Sequence, residues 1–390
     1  MKNVGSFDYC FGCQVCVVAC KHRAISMMYD REGFYKPVVD KETCVDCGIC
    51  LDVCSFNHDD VIKVKQPQMG AYAAWSNDEG TRITCTSGGL SYEFGKKLIG
   101  EGYQFCGVRY NLERKRSEHY FASTVEDLAE SKKSKYIQSW AVDAFSHFKR
   151  GQKYIVTGVP CQIDSLRRYL RKFKMEDDFI LLDFFCHGIP SKWMFDQYLK
   201  YVEKRVGKAT YVSWRNTIMP DGTFNWQEST NVNIRGERGL WQSRTVKGDI
   251  FFCLFFQEYC NGRHCHYNCR FRMFNSAADI RLCDLWGGTY KENKKGVSGV
   301  LLFSEKANRL FDSLETIEFN KEPKEIVGEG QMPSNVSPHR LRNVSIWMLK
   351  HSFPILWINY LRKTFSFFYH YKEIVKSLNH DDTKENLISD

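Results

Sequence analysis

The 390-residue chain lacks any run of about 18 uncharged apolar residues, the length that a membrane-spanning helix needs. No transmembrane segment is expected. It also lacks the apolar stretch of a secretory signal: Lys2, Asn3, Val4 and Gly5 lead straight to a cysteine-rich segment that starts at Cys10. A cytoplasmic setting is therefore expected, which disfavours disulfides and favours cysteines as metal ligands or redox groups. Low-complexity segments are missing too. So is any compact Lys/Arg run of the nucleic-acid-binding kind, and no nucleic-acid partner is expected.

What the chain has in quantity is cysteine. Seventeen is an odd count that a fully paired disulfide framework cannot use. Hydrophobic residues make up 43%, enough for real cores. The formal charge of +9 suits an acidic partner, a nucleotide-like cofactor or an anionic membrane surface, and equally an ordinary basic surface.

At ~100–200 residues per domain the length suggests two or three domains. Residues 1–66 are cysteine-dense with short loops, residues 70–150 mix short strands with helices, residues 151–310 read as α/β, and residues 311–390 read as a helical, aromatic and basic tail. The fold class expected is α+β. Its clearest unit starts at Tyr154. Residues 154–159 read as a buried strand, Pro160 suits the first turn of a helix, and Ile163, Leu166 and Leu170 recur at helical spacing. A second apolar strand follows at 179–185, an order that favours a right-handed parallel crossover.

The strongest signal is a repeat. Cys10-x2-Cys13-x2-Cys16-x3-Cys20 is followed by Cys44-x2-Cys47-x2-Cys50-x3-Cys54. This is the run of two-cluster bacterial ferredoxins, in which the fourth cysteine serves the other cluster. One [4Fe–4S] cluster is assigned to Cys10, Cys13, Cys16 and Cys54, the other to Cys44, Cys47, Cys50 and Cys20. Three close thiolates wrap one cluster but cannot reach its fourth iron, and the exchange of distant cysteines ties a small module together. Residues 33–39 between the motifs read as a hairpin strand. Zinc sites favour cysteine pairs separated by a dozen or more residues, which these runs do not provide. The usual proline after the fourth cysteine is absent: Lys21 and Ser55 stand there, which predicts altered turn rigidity or potential, not lost binding.

Of the other cysteines, Cys161 and Cys186 each fall just past the end of an expected strand. Parallel strands would bring both thiols to the sheet edge where α/β proteins bind ligands. Two buried structural cysteines are the plainer alternative.

Several segments in order resemble the coenzyme F420 hydrogenase/dehydrogenase beta-subunit family: Thr86-Ser87-Gly88-Gly89, Ser134-Lys135-Tyr136-Ile137-Gln138-Ser139, Gly158-Val159-Pro160-Cys161-Gln162-Ile163, Asp183 through Cys186-His187-Gly188, Cys265 to Cys269, and Asp284-Leu285-Trp286-Gly287-Gly288. The likeness spans roughly residues 1–300, including the fused dicluster module. It implies an oxidoreductase whose α/β part is a flavin-binding domain holding FAD and often a third [4Fe–4S] cluster. Electrons would pass between a reduced two-electron carrier such as the deazaflavin coenzyme F420, or ferredoxin, and a redox partner protein or substrate.

Residue by residue, the resemblance implies FAD pyrophosphate contacts from Thr86, Ser87, Gly88 and Gly89, with Arg82 nearby; a plain helix cap is the alternative. Lys135 and Tyr136 are implied for flavin or phosphate, and Gly158, Gln162, Gly287 and Gly288 for close approach to the cofactor. Cys161, Cys186, Cys265 and Cys269 are the candidates for the third cluster. The family shows a tighter Cys-x2-Cys pair than Cys265-x3-Cys269, which leaves open Cys260 as a replacement or zinc held with His264 and His266. Catalytic acid–base residues are not assigned; His187 is only a candidate. Within the tail, residues 340–376 have Arg340, Arg342, Lys350, Arg362, Lys363, Lys372 and Lys376 against one acid, Glu373, among Trp347, Phe353, Trp357, Phe365, Phe367 and Phe368. Such a segment fits helices packed on the protein, or peripheral contact with the inner face of a membrane. A non-catalytic electron relay and a redox sensor are the rival functions.

Overall fold

Residues 3–367 are described in the computed structural model. The last part of the expected tail, with Phe368, Lys372, Glu373 and Lys376, lies outside the described residues.

A nine-stranded sheet organises the larger part of the chain. Its order is Ile317–Lys321, Pro67–Ser76, Ser298–Ser304, Ile280–Asp284, Phe179–Phe184, Tyr154–Thr157, Gln104–Asn111, Arg116–Ala122 and Ser139–Trp140. The four central strands, from Ile280–Asp284 to Gln104–Asn111, run parallel. Their register sets Ile155 beside Ile180 and Thr157 beside Leu182, with Leu182 beside Ile280. Alternation along these strands splits the core between two faces. Ile155, Ile180, Leu182, Ile280 and Leu282 pack with Leu90, Phe94 and Leu98 of the helix Leu90–Gly100. Tyr154, Val156, Phe179 and Leu181 pack with Ile163, Leu166 and Leu170 of the helix Pro160–Lys172. The strand, helix and strand expected from Tyr154 onward are therefore present.

The cysteine-dense module joins this second face. Val15 and Val53 enter the same core as Ile163 and Leu166. Its hairpin pairs Ile25–Tyr29 antiparallel with Tyr35–Val39. Gln14 takes a left-handed conformation (φ 69°) and uses both ends of its amide: Nε2 donates to the Ser139 carbonyl at 2.9 Å, and Oε1 accepts the Ala141 N–H at 2.6 Å.

A third core lies beyond the sheet, where the helices Lys192–Val206 and Ile250–Phe256 pack against a small sheet of Ala209–Arg215, Thr230–Gly236 and Gly239–Arg244. The helix Arg342–Lys350 closes over it through Ile346 and Leu349.

One expectation needs correction. The stretch from 311 onward is not purely helical, because Ile317–Lys321 forms an edge strand paired antiparallel with residues 72–76. Ile317 is buried on its inner face, and the ladder to Pro67–Ser76 decides the conformation of four otherwise exposed residues.

Candidate cluster and cofactor sites

Two cavities in the N-terminal module collect the eight motif cysteines in two sets. Cys10, Cys13, Cys16 and Cys54 line an empty volume of about 340 Å³ together with Phe7, Phe11 and Phe56. Cys20, Cys44, Cys47 and Cys50 line one of about 380 Å³ with Ile25 and Val39. The loop before the helix Val15–Ala19 wraps the first cavity because Gly12 sits at φ +65°, where a Cβ would lie 2.4 Å from Gln138 Nε2 and 2.9 Å from the Tyr35 carbonyl. Burial pushes the Cys54 thiol up to about 12, with the neighbouring Cys13 adding to it, and raises Cys10 and Cys16 as well. Four thiols crowded into an apolar cavity ionise only beside a compensating positive charge, which is what iron supplies. The donor sets therefore fit cubane clusters.

The C-terminal ends of the parallel strands gather a third set. Cys161 lies in the first turn of Pro160–Lys172, Cys186 just past Phe179–Phe184, and Cys265 on the short helix Arg263–Tyr267, with Cys269 two residues beyond it. Burial raises the Cys161 thiol well above its usual value, and Cys186, Cys265, Cys269 and Cys13 stand close enough to raise it further. Cys265 behaves likewise beside Cys186 and Cys269, and burial pushes Cys186 up to about 11. Carbonyls fix the backbone of this set: Cys269 O accepts Asn335 Nδ2 at 2.8 Å, and Cys186 O accepts Arg272 Nη1 at 2.5 Å.

Cys260 stands apart, fully buried in the helical core, with burial raising its thiol to about 12 and Arg342 as the charged neighbour. His264 is buried edge-on to Phe11 and Phe34, and burial pushes it down to about 3. Among the described residues no three His, Cys, Asp or Glu side chains meet around a single metal ion.

The residues implied for FAD divide into two groups. Ser87 Oγ donates to the Val297 carbonyl at 2.7 Å, and a Cβ on Gly88 would lie 2.3 Å from the Ala74 carbonyl. Gly89, at φ +86°, precedes the helix Leu90–Gly100. This loop is thus packed tightly on the sheet. Arg82 Nη2 donates to the Gly296 carbonyl at 2.5 Å and to Asn293 Oδ1 at 3.1 Å, while its buried Nε has no partner. Lys135 Nζ donates to the carbonyls of Lys132 (2.7 Å) and Glu130 (2.9 Å), and burial lowers it to about 7. Gly158 faces Gln162, whose Oε1 would be 2.9 Å from a Cβ there; a Cβ on Gly287 would strike Glu329, whereas Gly288 faces open space.

The second group meets at Arg215, a residue that the sequence did not single out. Its guanidinium donates to Asp284 Oδ2 at 2.8 Å, to the Thr86 carbonyl at 3.3 Å and to Tyr136 Oη at 3.4 Å. Three of the separated segments quoted above thus converge on one side chain. Burial alone would lower the Arg215 guanidinium, and Asp284 and Tyr136 together more than offset it. Arg215 Nε is buried and unpartnered. Trp286 lies under the guanidinium at 5.4 Å and stacks on Trp226 at 4.7 Å, and the Trp226 indole donates to the Thr86 carbonyl at 2.8 Å. Burial lowers the imidazole of His187, next to Cys186, below its usual value, with Arg272 adding to the effect. A buried donor without a partner, over an indole that itself stacks on a second one, fits a planar polar cofactor.

Residues 9–58 match the family model of the 4Fe-4S dicluster domain, and residues 151–325 match that of the C terminus of the coenzyme F420 hydrogenase/dehydrogenase beta subunit. A chain of the solved F420-reducing [NiFe] hydrogenase complex from Methanosarcina barkeri is similar at 16% identity and a TM-score of 0.46, over 78% of this chain and 96% of that one. None of the curated proteins matches. Behind a 4Fe-4S dicluster domain, this protein carries the C-terminal domain of the coenzyme F420 hydrogenase/dehydrogenase beta-subunit family.

Proposed function

We propose that the chain is an iron–sulfur flavoprotein oxidoreductase that moves electrons between a two-electron carrier of the deazaflavin type, or ferredoxin, and a redox partner. The observation that carries this reading is the contact of Cys13 Sγ with Ser165 Oγ at 3.2 Å, one helical turn beyond Cys161 on the helix Pro160–Lys172. It links the thiol sets into a row that leads from the exposed Cys47 to the ligand-binding edge of the sheet.

In this reading Cys10, Cys13, Cys16 and Cys54 hold one [4Fe–4S] cluster, Cys20, Cys44, Cys47 and Cys50 a second, and Cys161, Cys186, Cys265 and Cys269 a third. FAD, when bound, supplies the exchange between two-electron and one-electron chemistry. The chain's own residues bind and orient it. Arg215, fixed by Asp284 and the Thr86 carbonyl, would offer it the unpartnered Nε–H. The Trp226–Trp286 stack excludes water from one side. Thr86, Ser87, Gly88 and Gly89 contribute backbone to this site, because the Ser87 hydroxyl is already bonded within the protein. The outer face of the C-terminal helices, with Trp347, Trp357 and Lys350 exposed, provides the same protein with a surface for peripheral lipid contact.

The test is cofactor content after anaerobic purification. About twelve irons and one FAD per chain are expected. About eight irons, and no flavin even after incubation with FAD, would leave a ferredoxin-like relay and overturn the enzymatic reading.

A further inference from the structure

Ser165 lies one helical turn beyond Cys161 on the helix Pro160–Lys172 and is fully buried. Its Oγ is 3.2 Å from Cys13 Sγ and accepts the Ser55 backbone N–H at 3.0 Å. Cys13 and Cys54 belong to the same thiol set, and Ser55 directly follows Cys54. One hydroxyl thus touches both chain segments that supply thiols to the first cavity, and it comes from the helix that also carries Cys161.

The direction of the bonds follows from the donors present. The oxygen accepts from Ser55, so the hydroxyl proton is left for the Cys13 sulfur, which accepts it once ionised. The helix holding Ser165 is itself clamped. Asp164 Oδ1 accepts the Ile62 N–H at 2.9 Å, and Arg168 Nη2 donates to the Asp60 carbonyl at 3.0 Å. The bridge also explains a departure in the sequence. The usual two-cluster run places proline after the fourth cysteine, and proline has no N–H to give. Ser55 supplies the donor that proline lacks.

Resting on the cluster assignment above, we propose that Ser165 is a positioning residue that raises the reduction potential of the cluster held by Cys10, Cys13, Cys16 and Cys54, and that Ser55 stands in the proline position to orient its hydroxyl. A hydrogen bond to a ligand sulfur draws off negative charge and stabilises the more negative reduced cluster. The effect falls on the cluster next to Cys161, the step where electrons cross between the N-terminal module and the sheet domain.

The experiment is a redox titration, followed by electron paramagnetic resonance, of the full-length protein after anaerobic purification, comparing wild type, S165A and S55P. With iron content unchanged, S165A should move one midpoint to more negative potential by roughly three- to tenfold in the reduction equilibrium, about 30 to 60 mV for one electron. The other midpoints should stay. S55P should move the same midpoint in the same direction by less; its backbone tolerates proline, because Cys54 is extended at ψ 108°. Full iron with every S165A midpoint at its wild-type value overturns the proposal. If S165A fails to load its clusters, S55P decides in its place: a shift of that one midpoint supports the bridge, and unchanged midpoints overturn it. A wild-type protein with fewer than about eight irons would overturn the cluster assignment itself, and this inference with it.

Discussion

Asp183 receives two hydrogen bonds from Arg281, from Nε and Nη2, each at 2.7 Å, and both side chains are fully buried. The pair ties two adjacent parallel strands together beneath the third thiol set. Arg281 Nη1 adds bonds to the Phe271 and Met273 carbonyls, at 3.1 and 2.6 Å, and so anchors the segment that follows Cys269. R281A would leave Asp183 as an unpaired buried carboxylate, a loss of ~3–5 kcal/mol. A lower denaturation midpoint in guanidinium is expected, together with loss of about four irons before the rest. An unchanged midpoint would mean that the pair is not a brace.

Arg215 offers a separate handle on the cofactor. Replacement by alanine removes the free Nε–H and the bond to Asp284, while the cysteine sets are untouched. R215A should retain wild-type iron and lose most of its flavin, on the order of tenfold in flavin affinity, the cost of one charged hydrogen bond. R215K should recover only part, because lysine lacks the planar fork that reaches Asp284, Thr86 and Tyr136 together. Equal flavin recovery in R215A and wild type would remove Arg215 from the site.

Glu258 predicts a pH dependence of stability. Burial raises its carboxyl to about 7, against the lowering effect of the Asn261 side chain, which donates to Oε2 at 2.6 Å. Arg272, Arg342 and His266 are the other charged or titratable neighbours. Since the folded value lies above the unfolded one, the folded state binds the extra proton between about pH 4.5 and 7. This group therefore adds stability as pH falls through 7, and its full penalty is present above 7. E258Q should gain up to about 3 kcal/mol at pH 8 and only about 1 kcal/mol at pH 5. Parallel denaturation midpoints of E258Q and wild type across that range would contradict the assignment.

What the sequence made legible was local. Cysteine spacing separated the two quartets that line separate cavities, because each motif wraps three close cysteines around one cavity and sends its fourth to the other. The unit from Tyr154 was equally plain, since strand, helix and strand follow one another in the chain. Long-range partners were hidden. The edge strand Ile317–Lys321 draws its conformation from residues 72–76, and Ile317 is its one buried side chain. Ser87 and Gly88 read as phosphate-loop residues, yet their packing against Val297 and Ala74 is set by strands elsewhere in the sheet. Arg215 carried no mark at all: its importance comes from Thr86, Tyr136 and Asp284, drawn from three distant segments. The single signal pointing to Ser165 was the missing proline at position 55.

The C-terminal helices can be tested without cutting them away. Ile346, Leu349, Ile355 and Ile358 are buried in the helical core, so truncation would expose that core and confuse unfolding with lost binding. The outward residues Trp347, Leu356, Trp357 and Tyr360 are exposed, and Arg340, Lys350 and Lys363 accompany them. Exposed aromatic and basic groups suit the headgroup region of an anionic bilayer, with ~1 kcal/mol from each basic residue near the surface. Full-length protein should co-sediment with phosphatidylserine vesicles, weakly with neutral ones, and less at high salt. W347S/W357S should reduce recovery in the pellet while leaving iron content and the denaturation midpoint near wild type. Equal recovery of both proteins in the supernatant, at low salt and with anionic vesicles, would leave that face to a protein partner.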